Sequence, residues 1–158
     1  MHSSPPQSFM VRALTAADVP RLYELNVLFG EAFRDVETYC SAPPDEGYLR
    51  RLLADPHNIV LVSLTDGEVS GGLVAYELCK FERERSEIYI YDLAVAEPFR
   101  RRGIASALIE RVCRIAAERG ATSVFVQADY VDEPAIALYG KFGAREEVLH
   151  FDIAPHRP

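Results

Sequence analysis

The sequence predicts an α/β protein, of the α+β kind, whose central sheet mixes antiparallel and parallel strands. Strand-like runs recur at Ile59 to Leu64, which is almost continuously apolar, at Val69 to Leu78, and at Glu87 to Val95, which is rich in β-branched and aromatic residues. They are close enough in sequence to pair as antiparallel neighbours. Directly after the third run, Ile104, Leu108, Ile109, Val112, Ile115 and Ala116 recur at helical spacing. A further strand-like run, Thr122 to Ala128, follows that helix, and a strand–helix–strand crossover makes its two strands parallel. At 158 residues the chain suits one domain around one core.

Taken in order, Met1 to Phe9 carries neither the charged nor the apolar stretch of a secretory leader. Residues 1–10 are expected to be a disordered extension, and residues 11–158 a single domain. Thr15 followed by Asp18 resembles a capping box, with Val19, Leu22, Tyr23 and Asn26 on one face of the helix behind it. A second helix is predicted from about Pro44 to Ala54, ended by Asp55-Pro56. Asp66-Gly67 marks a hairpin turn between the first two strand runs, and Gly71-Gly72 a bulge or close backbone approach. Gly120 caps the long helix, Glu133 to Phe142 forms another helix capped by Gly143, and Val148 to Ile153 reads as a last strand.

Composition narrows the function classes. No apolar run approaches the roughly 20 residues that span a bilayer. Cys40, Cys79 and Cys113 are odd in number and lack metal-ligand spacing, which argues against a disulfide framework or zinc site and for a reducing, cytoplasmic setting. Cys113 falls in the apolar row of the long helix and is expected in the core. The net charge of −7 disfavours nucleic acid and anionic membrane and suits a cationic partner.

The chemistry concentrates where the third strand runs into the long helix. Arg100, Arg101 and Arg102 precede Gly103, Ile104 and Ala105. The first turn of a helix leaves backbone N–H groups unpaired at the positive end of its dipole, and a pyrophosphate accepts them directly. Gly103 and the small Ala105 let phosphates approach the backbone, and arginines add charge-assisted contacts. The chain holds no G-x-x-x-x-G-K-[ST] loop and no G-x-G-x-x-G fingerprint, which argues against a nucleotide triphosphatase or a Rossmann dehydrogenase.

Tyr91-Asp92-Leu93-Ala94-Val95, the turn from Arg100 to Ala105, Ala135-Ile136-Ala137-Leu138-Tyr139 and then Lys141-Phe142-Gly143 together form a pattern. It resembles the GNAT superfamily of N-acetyltransferases. The resemblance implies a sheet of about six to seven strands flanked by four helices, and acetyl-CoA as cofactor. Leu93, Ala94 and Val95 would pair with the pantetheine arm, beside a strand near Val126 to Ala128 that splays away. Arg100, Arg101, Arg102, Gly103, Ile104, Ala105 and Ser106 would hold the pyrophosphate, with Ala137 and Tyr139 completing the coenzyme site. The resemblance also implies Tyr139 as the proton donor to the departing thiolate.

Chemistry adds two requirements. A carboxylate or water relay must take a proton from the amine, and a backbone N–H, of Leu93 or Val95, must face the developing oxyanion. Asp92 is the candidate base; alternation puts it on a different face from Leu93 and leaves open whether it meets substrate or the helix layer. Glu87, Asp129, Asp132 and Glu133 are alternatives.

Within the superfamily, Ser86 to Val95, Val126 to Tyr130, Arg145 to Ile153, Leu28-Phe29-Gly30 and Asp35 to Tyr39 look like aminoglycoside 3-N-acetyltransferases of the gentamicin-modifying type I class. That resemblance implies transfer to the 3-amino group of a 2-deoxystreptamine antibiotic in a ternary complex, antibiotic resistance, and a homodimer. A polycationic substrate suits an acidic cleft, for which Asp35, Glu37, Asp129, Tyr130, Glu146 and Asp152 are candidate contacts. The rival readings are a GNAT enzyme for a polyamine or peptide N-terminus, and a non-catalytic acyl-CoA sensor.

Overall fold

A computed structural model describes residues 8–156. The chain divides into two compact units at the boundary between Gln127 and Ala128. The first unit carries a five-stranded sheet in the order β1-β2-β3-β4-β5, with β1 Phe9–Ala13, β2 Asn58–Thr65, β3 Glu68–Lys80, β4 Arg85–Val95 and β5 Val124–Val126. The first four strands pair antiparallel and β5 pairs parallel to β4, the mixed sheet expected from the crossover. Helices α1 Val19–Ala32, α2 Val36–Cys40, α3 Glu46–Ala54 and α4 Ile104–Arg119 belong to this unit. Helix α5, Glu133–Tyr139, belongs to the second.

The sheet is covered on both faces, and β2 shows why its sequence is a continuous apolar run. Ile59 and Leu61 join Leu73, Ala75, Ile88 and Ile90 in a core packed against Ile104, Leu108, Val112, Ile115 and Ala116 of α4. Val60 and Val62 point the other way, into a core with Val19, Leu22, Leu25, Leu28 and Phe29 of α1 and Leu49 and Leu53 of α3. A strand buried on both faces has no polar face to alternate. Each fully buried Leu or Ile contributes about 1.5–3 kcal/mol. Helix α1 comes so close to the sheet that a Cβ on Gly72 would lie 2.3 Å from Leu25 Cδ1 and 3.0 Å from the Leu61 carbonyl oxygen. The close backbone approach predicted at Gly71-Gly72 is present.

Two register shifts shape the strands. Between Ser63↔Gly71 and Leu64↔Val69, Ser70 is the extra residue on β3, and its hydroxyl is buried against Ser63 Oγ (2.6 Å) and Thr65 Oγ1 (2.8 Å). Between Val74↔Asp92 and Ala75↔Ile90, Tyr91 is the extra residue on β4. That second bulge shifts the alternation of β4 by one residue. Ile88 and Ile90 pack with the α4 core before it, Leu93 and Val95 after it, so Asp92 and Ala94 turn to the α1 side.

Several expectations need correction. Among the described residues the sheet has five strands where the resemblance implied about six to seven, and they are not the five runs read from the sequence. Phe9–Ala13 is a strand, so Phe9 and Met10, expected in the extension, belong to the sheet; residues 1–7 of that extension lie outside the described residues. Residues 143–156, including Val148 to Ile153, form no strand. Alternation alone does not make a strand, because its backbone groups need a ladder partner. Helix α2, too short to show periodicity, is present between the two predicted early helices. Asp18 is the N-cap of α1 rather than an interior residue, and its carboxylate reaches back to Thr15 N (2.8 Å). Helix α5 ends at Tyr139, with Gly140 as its cap in place of Gly143. Gly120 caps α4 in the left-handed conformation as predicted, at φ +71°. Cys113 is exposed, on the outer side of α4 from its buried row.

Candidate active site

Strand β5 is short, and its length shapes the site. Its three rungs with β4 run from Ile88↔Val124 to Ile90↔Val126 and stop there. Strand β4 continues for five residues more, through Asp92, Leu93 and Ala94 to Val95. Past that end, a 3-10 turn at Glu97–Phe99 leads into the arginine turn.

The turn is built from two left-handed residues. Arg101 has φ +61° and Gly103 φ +81°. For a residue with a Cβ, that conformation costs on the order of 1–3 kcal/mol, so the fold holds Arg101 there against its preference. Gly103 is the N-cap of α4, and among the described residues no side chain caps that helix. Nothing lies within 4 Å of where a Cβ on Gly103 would sit. A left-handed backbone opening onto a helix N-terminus, with open space at its glycine, suits an anion. The arginines brace the turn: Arg100 Nε donates to the Val95 carbonyl at 3.0 Å, and Arg102 Nη2 to the Pro98 carbonyl at 3.1 Å. The Arg102 guanidinium also lies 5.5 Å from the centre of the Phe99 ring. Of the predicted coenzyme contacts here, the Ile104 side chain is buried in the α4 core, which leaves only its backbone to face a ligand. Ala105 and Ser106 are half-buried on the first turn.

On the α1 side of β4, Asp92 is half-buried, and its Oδ1 accepts a hydrogen bond from the Tyr39 hydroxyl at 2.7 Å. Burial raises the Asp92 carboxyl above its ordinary range, and the Tyr39 hydrogen bond offsets part of that. Tyrosines gather around it. Tyr76 and Tyr89 each meet the Tyr91 ring edge-on, at 5.8 and 5.5 Å, and Tyr89 stacks on Phe125 at 4.7 Å. The Tyr89 hydroxyl donates to Gln127 Oε1 at 2.9 Å. Burial, followed by the charges of Asp92 and Tyr91, holds the Tyr76 phenol above its ordinary range.

The other carboxylates named from sequence have different surroundings. Glu87 is paired with Arg85 at 2.7 Å. Asp35 is the N-cap of α2, accepting from Thr38 N at 3.1 Å, and Glu37 lies exposed in the first turn behind it. Tyr39 was not among the candidate contacts, although it lies in the segment that carried the resemblance. Its signal was the aromatic spacing of Phe29, Phe33 and Tyr39, which meaningfully pairs them only once α2 folds back on α1.

In the second unit, Asp132 caps α5 by accepting from Ala135 N at 3.1 Å, and Glu133 opens the helix. Tyr139 ends it, half-buried, its hydroxyl held above the ordinary phenol range by burial and then by the Asp132 charge. Such a hydroxyl keeps its proton and remains a donor. Ala137 is exposed. Asp129, Glu146 and Asp152 are exposed, with Asp152 Oδ1 3.0 Å from His150 Nε2. Tyr130 is exposed beneath the Arg145 guanidinium, 5.5 Å from its ring centre.

The acetyltransferase (GNAT) family pattern matches residues 21–144. Among solved structures, an aminoglycoside acetyltransferase from an uncultured soil metagenomic sample is 56% identical, covering 94% of this chain and 99% of its own, with a TM-score of 0.92. Another aminoglycoside acetyltransferase from an uncultured soil metagenomic sample, solved in complex with sisomicin, is 33% identical over 94% of this chain and 97% of its own, with a TM-score of 0.85. The N-alpha-acetyltransferase MAK3 of Arabidopsis thaliana is 37% identical over 75 residues, 46% of this chain. The chain spans 40% of the length of that curated relative.

Proposed function

The chain belongs to the GNAT acetyltransferase family, and from that premise we propose that it acetylates the 3-amino group of gentamicin-like 2-deoxystreptamine aminoglycosides, conferring resistance to them. Acetyl-CoA is the acyl donor. The observation that carries the substrate reading is the 56% identity to an aminoglycoside acetyltransferase along nearly the full length of both chains. The acidic net charge agrees with a polycationic acceptor.

The open turn at Gly103 fits a pyrophosphate. In this reading the N–H groups of Gly103 to Ser106 and the bracing arginines hold it, and the backbone of Leu93 to Val95 beyond the last β5 rung pairs with the pantetheine amides. The bound thioester supplies the acetyl group. Asp92 accepts the proton that the attacking amine sheds, its raised carboxyl placing it nearer to working pH than an exposed aspartate. The N–H of Leu93 or Val95 donates to the developing oxyanion. Tyr139 returns a proton to the departing sulfur, the phenol being an adequate acid for a thiolate whose conjugate acid lies near 8.5. Asp35, Glu37, Asp129, Tyr130, Glu146 and Asp152 remain the proposed substrate contacts, with Asp35 acting through the structure of α2 as well.

The proposal extends to a single catalytic domain over residues 11–158, working in the cytoplasm as a homodimer. The family match running across both units supports the first point, the three free cysteines the second, and the exposed row Val148, Leu149, Phe151 and Ile153 the third.

One assay tests the substrate. Purified protein and acetyl-CoA are offered gentamicin, sisomicin, kanamycin, spermidine and short peptides, thiol release is followed, and the product is mapped by NMR. Acetylation at the 3-amino nitrogen is expected. Product acetylated at the 6′ position would refute the regiochemistry. Turnover confined to spermidine would sink the aminoglycoside reading, and turnover confined to peptides would favour the activity named for the plant relative.

A further inference from the structure

We infer that Tyr39 is a positioning residue for Asp92: a hydroxyl clamped between α1 and α2 fixes one carboxylate oxygen and so presents the other to the substrate amine. The inference rests on Asp92 being the proton acceptor of the proposed reaction.

The clamp begins at Gly30 of α1. A Cβ there would lie 3.2 Å from Cys40 Sγ, 3.4 Å from Tyr39 Cβ and 3.4 Å from the Val36 Cα, so α2 lies directly on α1 with no room for a side chain. Asp35 caps α2 and fixes its start. The Tyr39 ring then meets Phe29 edge-on at 5.9 Å and Phe33 at 5.6 Å, and those two rings stack at 5.4 Å. A ring packed against Phe29 and Phe33, with its Cβ seated over Gly30, delivers its hydroxyl to one place. That place is Asp92 Oδ1, 2.7 Å away and 53 residues later in the chain.

From the other side, the bulge at Tyr91 turns Asp92 out of the α4 core and towards α2. The two devices are independent in sequence, and the hydrogen bond exists only because both are present. A phenol has one proton to donate, so a single carboxylate oxygen is engaged. Within residues 8–127, no other described side chain hydrogen-bonds Asp92.

The groups that interact with Asp92 are Tyr39 from α2, Tyr76 from β3 and Tyr89 from β4 itself. Asp35 acts on Tyr39, and Tyr48 of α3 on Tyr76. Burial first, then the Asp92 hydrogen bond and charge, push the Tyr39 phenol upward, so it remains a donor across the working pH range. Its hydrogen bond favours the charged form of Asp92 and opposes the effect of burial.

The experiment compares wild type, Tyr39→Phe, Asp92→Asn and the double variant. Tyr39→Phe keeps the ring that packs on Phe29 and Phe33 and removes only the hydroxyl, and thermal melting checks that the fold is kept. Carbon-13 NMR of the aspartate carboxyls reads the Asp92 titration without any substrate. In Tyr39→Phe the Asp92 carboxyl is expected to titrate at higher pH than in wild type. The acid limb of kcat/KM moves the same way, and kcat at neutral pH falls about tenfold with KM changed less. In the Asp92→Asn background, Tyr39→Phe causes no further loss. An unmoved Asp92 titration, or an equal loss of kcat in the Asp92→Asn background, overturns the role of Tyr39. Full turnover by Asp92→Asn instead overturns the acceptor assignment, and the inference with it.

Discussion

Two glycines, Gly72 and Gly103, show how the same residue type serves opposite ends at the residue scale. Gly72 is glycine because α1 leaves no volume: its missing side chain is the space Leu25 occupies. Gly72→Ala forces Leu25 aside while the Leu61 carbonyl resists on the other flank, and is expected to lower unfolding stability by about 1–3 kcal/mol in a urea titration. Gly103 is glycine for its left-handed backbone and for what it leaves open. Gly103→Ala meets no neighbour, so its stability cost is expected to be about 1–3 kcal/mol, from conformation alone. Its coenzyme affinity, measured by calorimetry, should fall about tenfold or more; unchanged affinity would remove the turn from the coenzyme site. Tyr139 can be tested in the same spirit. Tyr139→Phe should lower kcat about tenfold or more while leaving coenzyme affinity within about twofold, and unchanged turnover would return the hydroxyl to a packing role.

Among the elements, short pieces with local polar anchors matter as much as long periodic ones. Helix α2 has five residues and no periodicity to speak of, yet an aspartate cap and a glycine seat place it. The entry to α1 is anchored similarly. Arg12 on β1 donates to both carboxylate oxygens of Asp18, at 3.0 and 2.8 Å, while Thr15 N donates to one of them. Arg12, with a smaller contribution from Thr15, holds the Asp18 carboxyl far below the usual carboxylate range, against the effect of burial. A lowered folded value means the contribution is fully present above the unfolded value of about 3.9 and is lost as pH falls through the lower folded one. Asp18→Asn should therefore cost about 1–2 kcal/mol at pH 7, and the gap between variant and wild type should close in strong acid. A gap that is constant down to pH 2 would show that Asp18 acts by packing rather than charge. In β4 the bulge is the element that matters, because one extra residue decides which face Asp92 occupies.

For the whole molecule, net charge is the property that bears on function. A chain of net charge −7 draws a polycation by long-range attraction that salt screens over about 8–10 Å. For an aminoglycoside acceptor, kcat/KM should fall as salt rises from 0.05 to about 0.5 M, mostly through KM, whereas a neutral acceptor would show no such slope. The sequence by itself determined what local chemistry encodes: the β2 to β4 strands, the long helix with its Gly120 cap, the arginine–glycine turn, the acidic charge and the family. These were legible because periodicity, turn residues and helix-terminus chemistry act within a few residues. Tertiary structure decided the rest. Whether an alternating run becomes a strand depends on a ladder partner, which Phe9–Ala13 finds in β2 and Val148 to Ile153 does not find among the described residues. Which face Asp92 takes depends on a bulge whose register is set across β3, and its partner Tyr39 arrives from 53 residues away. Contacts at that separation leave no period in a sequence, so the residue that orients the proposed base was visible only once the chain had folded.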